Sequence, residues 1–297
     1  MSDGNDSANK NDQMPKPEHE LFEKALNIPE DAILPWEDVI LPSKGLYYDG
    51  MVPDGRVQVR PMGLYAEKIL ATQRLAQTGK SLDWLFKKCV KFPSDKFDPI
   101  NLLAGDRIFL LYYLRGITHG NIYEFAVRCT NEDCGQMTTG EYDLNQLAST
   151  IKYPKEELGK EPFKIVLPHL SKVLKSEFWV KVRFLRGYDM QYMLTNRKAV
   201  KKLGRYSYEQ IDDTLEDNLS MLIVEAMGVS DRNKIKELVQ KLHSLDTSAI
   251  REFLQENTPG IDTTITVTCE HCGNDMKMDL PITESFFRPA KRRGSGE

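Results

Sequence analysis

Four of the five cysteines in this 297-residue chain fall in two close pairs, Cys129-x4-Cys134 and Cys269-x2-Cys272, and only Cys89 stands alone. A tight turn brings two thiolates to one side of a metal ion. Two such turns facing each other supply four thiolates in a tetrahedron, a closed structural zinc site with no open position for catalysis. Each second cysteine is followed by glycine, Gly135 and Gly273. Glycine tolerates positive φ, which lets backbone amides turn toward the sulfurs. The chemistry expected of Cys129, Cys134, Cys269 and Cys272 is therefore structural Zn2+ binding, which could contribute on the order of 10 kcal/mol to the fold. The competing chemistry is a redox pair. That reading wants a Cys-x2-Cys that opens a helix, whereas both pairs here lie between strand patterns. Asp133 and Glu270, beside cysteines, also argue against a lowered thiol pKa. His271, inside the second turn, reads as an exposed turn residue that could stand in for a cysteine, and Cys89 as a small core residue on an apolar helix.

Other chemistry is hard to assemble. Thr78-Gly79-Lys80-Ser81 resembles the end of a phosphate-binding loop, but the glycine that motif needs is replaced by Arg74. The chain has no H-E-x-x-H, G-x-S-x-G or G-x-G-x-x-G, and its five histidines are scattered. No enzyme is expected. Residues 172–205 interleave lysines and arginines with Phe178, Trp179, Phe184, Tyr188 and Tyr192. Cations on phosphates and aromatics on bases would suit nucleic acid, with Lys198, Lys201 and Lys202 as phosphate contacts. The following acidic segment, Glu209 to Asp217, could instead neutralise the basic face within the molecule or across a subunit contact, and at least half of the aromatics should be core. A zinc-ribbon nucleic-acid-binding accessory protein is thus the second reading.

The elements that must position the cysteines can be read from periodicity. NIYEFAVRC alternates Tyr123, Phe125 and Val127 and leads into Cys129; TTITVTC alternates Ile265 and Val267 and leads into Cys269. QMTTGEYDL and MKMDL read as the return strands. Helical spacing covers 64–77, 81–91 and 100–114, with Ser81 as an N-cap and Asp106 and Arg107 interrupting the third. Between the cysteine pairs lie a hairpin, FKIVLP with EFWVKVRFL, and helices over 187–203, 207–227, 231–244 and 247–257, with caps expected at Ser230 or Asp231 and at Thr247 or Ser248. The fold class expected is α+β, a mainly helical chain with a split four-cysteine zinc ribbon, built from two strand-knuckle-strand units, and a helical insertion. The domain reading is a disordered tail 1–18, an extended Pro/Gly-rich arm 19–62 that is irregular and strand-poor over 33–60, helices with the first knuckle 63–145, the hairpin and helical insertion 146–260, the second knuckle 261–288 and a disordered basic tail 289–297. Trp36, Tyr47 and Tyr48 on the arm are expected to dock a partner.

Hydrophobic residues make up 40%, enough for a core, and the net charge of -4 does not suit a nucleic-acid coat. No apolar run approaches the ~20 residues that span a bilayer, and the polar N-terminus lacks a signal-peptide core. With an odd cysteine count, this points to a reducing cytoplasm, no membrane partner and no disulfide framework.

Several segments are similar to a known family. LPSKGLYY (Leu41–Tyr48), VRPMGLYAEKIL (Val59–Leu70), the apolar helix with Asp106, and YLRGITHGNIYEFAVRC (Tyr113–Cys129) resemble the baseplate hub and hub-assembly family of T-even-type contractile-tailed bacteriophages. The matching positions are Pro42–Gly45, Arg60-Pro61, Glu67, Leu114-Arg115, Gly120, Tyr123 and Cys129, and the likeness returns at the second knuckle and the closing SFFRP. The resemblance implies a virion or tail-assembly role within a multi-subunit complex, with other hub or tail proteins as partners. It implies assembly in the host cytoplasm and, for a retained subunit, a place in the tail baseplate.

Overall fold

The computed structural model describes residues 17–71, 79–202, 214–282 and 284–287. Contacts divide the chain into two units, Met1–Pro35 and Trp36–Glu297. The first holds helices α1 (Pro17–Leu26) and α2 (Glu30–Ile33). Glu18 and Glu20 in the first turn of α1 and Lys24 in its last complement the helix dipole.

Among its described residues the second unit contains four small antiparallel sheets. Strands β1 (Glu37–Ile40), β2 (Arg56–Val59) and β3 (Val90–Lys91) form one, in that order. Helices α3 (Leu64–Ala71) and α4 (Ser81–Cys89) connect β2 to β3. Helix α5 (Ala104–His119) runs directly into β4 (Ile122–Arg128), which pairs with β5 (Met137–Asp143). The third sheet has the order β6 (Phe163–Val166), β7 (Trp179–Val182), β8 (Ile223–Ala226). Around it lie α6 (Pro168–Leu174), α7 (Gly187–Lys202), α8 (Thr214–Leu222), α9 (Arg232–Gln240) and α10 (Ser244–Asn257). Strands β9 (Thr264–Thr268) and β10 (Asp275–Asp279) make the fourth sheet, and α11 (Glu284–Phe287) follows.

The expected mainly helical chain carrying a split zinc ribbon is therefore corrected to a mixed α/β fold. Among the described residues the two cysteine hairpins are separate two-stranded sheets rather than one shared ribbon sheet. Between them the expected hairpin of FKIVLP with EFWVKVRFL forms as β6–β7, but β8 joins it, so the stretch is a sheet with helices rather than a helical insertion. The helix expected over 207–227 is, where described, α8 followed by β8, whose Ile223, Glu225 and Ala226 pair with β7 and whose β-branched Ile223 and Val224 favour a strand. Residues 33–60, expected to be strand-poor, supply β1 and β2. Short strands between turns give too few residues for their period to register. Caps also moved. Asp231 accepts from the Asn233 and Lys234 amides as expected, but His243 Nδ1, not Thr247 or Ser248, caps α10, and Ser81 lies inside α4, after Lys80.

Helix α5 organises the core around the cysteine hairpins. Leu110, Leu111 and Leu114 are buried on it. Its nearly buried Arg115 donates to the Gly120 carbonyl (2.7 Å) and lies 5.7 Å from the Tyr123 ring, tying the helix end to β4. Tyr112 donates to Leu280 O (2.6 Å) and Tyr123 to Pro281 O (2.8 Å), which fixes the end of β10. The Phe286 ring packs edge-on against both tyrosines at 5.1 Å. One helix thus places both hairpins.

At the other end of α5, fully buried Asp106 accepts from the Ser43 amide (3.0 Å) and from the Tyr48 hydroxyl, whose oxygen accepts from Leu103 N (2.9 Å). Burial pushes Asp106 up to about 6, against the hydrogen bonds that lower it. Asp106 is more than a polar interruption of an apolar helix: it anchors the Pro42–Gly45 turn. That role depends on two segments far apart in sequence.

Candidate metal centre

Each hairpin delivers its cysteines by local backbone geometry. In the first, Cys129 N donates to Gln136 O (2.8 Å), and Cys134 and Gly135 both donate to Asn131 O (3.0 and 2.9 Å). In the second, Cys269 N donates to Asn274 O and Gly273 N to Cys269 O, each 2.9 Å. Gly135 and Gly273 have φ of 54° and 70°, the left-handed turn that glycine takes without a Cβ penalty.

The two tips are joined by polar contacts. Glu270 N donates to Thr138 Oγ1 (3.1 Å), Thr139 Oγ1 donates to Glu270 Oε1 (2.8 Å), and Thr130 N meets Met276 Sδ at 3.3 Å. The Sγ atoms of Cys129, Cys134, Cys269 and Cys272 consequently lie within 4.8 Å of one another. The Cys129–Cys272 and Cys134–Cys269 separations are 3.6 and 3.9 Å. Zn–S bonds of about 2.3 Å in a tetrahedron place sulfurs about 3.8 Å apart, so the donor set fits that ion. These short contacts run between hairpins, whereas a Cys-x2-Cys redox couple would join the two cysteines of one turn. Cys129 and Cys269 are buried, Cys134 is half-buried and Cys272 is exposed, which leaves one side open to solvent.

Backbone amides point at the sulfurs. The amides of His271 and Cys272 pull Cys269 down to about 6. The Asn131 amide acts the same way on Cys129, but burial and the three neighbouring thiols outweigh it and push Cys129 up to about 12. Metal binding would displace the protons that the thiols share. The acidic neighbours do not hold Cys269 up, contrary to the expectation from Glu270, because that carboxylate turns to Thr139 and amides touch the sulfur directly. His271 is exposed with its ring nitrogen 3.1 Å from Met137 O, and Cys89 is buried in the core.

The remaining sequence-selected residues lie elsewhere. Tyr47 packs edge-on against Phe163 and Phe184, and Tyr48 is held by Asp106, so both rings sit in the core. Trp36 is half-buried under the Arg60 guanidinium, 4.7 Å from its ring. Lys198, Lys201 and Lys202 fall in the last turns of α7, outside the residues whose side chains are described, and so does the acidic segment through Asp217. Within the basic stretch, Arg183 makes a two-pronged pair with Asp189 (2.7 and 2.8 Å), Arg186 pairs with Glu161 (2.6 Å) and Lys181 with Glu225 (3.0 Å). Phe184 is fully buried. No helix among the described residues is long and apolar enough to cross a membrane.

The family model described as T4 bacteriophage base plate protein matches residues 46–288, a span that takes in both cysteine pairs and all four sheets except β1. No curated protein and no solved structure matches the chain.

Proposed function

Since this chain belongs to the T4 bacteriophage base plate protein family, we propose that it is a structural subunit of the tail baseplate hub, held by a zinc ion on Cys129, Cys134, Cys269 and Cys272 and performing no catalysis. Family membership makes it a phage baseplate protein that assembles with other tail proteins. The observation that carries the zinc reading is the convergence of four thiols from two distant hairpins, their sulfurs all within 4.8 Å of one another. Bound there, zinc would supply a cross-link over a 143-residue separation rather than a reaction site. Partners are other hub or tail proteins, met in the host cytoplasm during assembly and retained in the virion tail.

Quantitative mass spectrometry of tails purified from the source phage tests the subunit reading. A near-constant number of copies per tail is expected. Absence from tails, in cells that express the chain, contradicts a structural subunit.

A further inference from the structure

A cleft of about 620 Å³ opens between β2–β3 and the segment leading to Pro99. Trp36, Arg60, Lys87, Lys88, Lys91 and Lys96 line it. Five cations thus face two carboxylates, Asp95 and Asp98, on a chain whose net charge is -4. Low-dielectric walls focus such a field toward anions.

The cations differ in how they are held. Arg60 is nearly buried; its Nε donates to Lys88 O (3.2 Å), and its guanidinium stacks on Trp36. Lys87 is held by Asp98 at 3.2 Å. Lys91 and Lys96 are exposed and make no ion pair among the described residues. Arg60 is fixed by the fold, whereas Lys91 and Lys96 are free to meet a ligand.

We propose that this cleft docks an acidic, extended segment of a partner baseplate protein, an inference that rests on the baseplate reading above. The cleft's chemistry favours protein carboxylates over nucleic acid. Base stacking needs an open aromatic face, but Arg60 covers Trp36, and Phe92 packs on Phe97 at 4.9 Å. Asp98 is already paired with Lys87, which leaves Lys91 and Lys96 for the carboxylates of an acidic peptide.

Fluorescence anisotropy with a fluorescein-labelled oligoglutamate peptide tests the cleft on the full chain. Saturable binding that weakens as salt rises is expected. The double variant Lys91→Glu with Lys96→Glu should weaken it at least about tenfold, while the charge-matched Lys155→Glu with Lys160→Glu leaves it unchanged. Circular dichroism confirms that both variants fold. Equal binding by the two variants, no binding by the wild type, or tighter binding of a single-stranded oligonucleotide than of the peptide overturns the proposal. Incorporation into tails separates the two levels. Wild type and Lys155/Lys160 variant present with the Lys91/Lys96 variant missing supports the cleft. All three present overturns the cleft and leaves the subunit reading intact. Wild type itself missing overturns the subunit reading.

Discussion

At the scale of single residues, the cysteines carry the heaviest consequence. Replacing Cys129 or Cys269 by serine removes a soft donor from a four-sulfur set. Zinc content should fall from about one per chain to near zero, with a stability loss of several kcal/mol, measured by metal analysis and thermal unfolding. Asp106 gives a separate test. Its pKa is raised from 3.8 to about 6 in the folded chain, so the folded state holds the proton more tightly. The contribution is fully present below the unfolded value and is lost as pH rises through about 6, up to about 3 kcal/mol in all. Asp106→Asn should flatten that slope between about pH 4 and 6, read from denaturant midpoints; an unchanged slope contradicts it. The cysteine set was legible because its spacing and trailing glycines are local. The Asp106–Tyr48–Ser43 group was not, because only tertiary structure brings those residues together.

At the scale of elements, α5 and α11 hold the hairpins in place. Phe286 fills the space between Tyr112 and Tyr123 with no exposed surface. Phe286→Ala should cost about 3–5 kcal/mol and lower zinc affinity, since β4 and the end of β10 share that packing. Loss of stability with undiminished zinc affinity would show that α11 does not position the site. The hairpin strands could be read from sequence because Tyr123, Phe125 and Val127 alternate cleanly over one half-buried face. Of the three-stranded sheets only the β6–β7 pairing, the expected FKIVLP and EFWVKVRFL hairpin, was legible, and the rest was not. Their strands run two to four residues, and their pairings cross long helical connections, as when β8 joins β7. The rings of Tyr47 and Tyr48 looked like docking groups because their partners, Phe163, Phe184 and Asp106, are distant in sequence.

At the scale of the whole molecule, four small sheets share one hydrophobic core, and the sulfur cluster joins hairpins from two halves of the chain. An isolated two-stranded hairpin such as either cysteine hairpin is marginal at best in water. Cross-linking the hairpins should therefore affect more than their tips, and chelation should expose protease sites in both. The most direct test is zinc content per chain on protein purified without added metal, paired with a count of reactive thiols before and after chelation. About one zinc per chain, with at most one reactive thiol before chelation and five after it, and folded signal lost with the metal, is the expected result. A metal-free chain that stays folded with the four paired cysteines reactive would contradict a metal-held baseplate subunit.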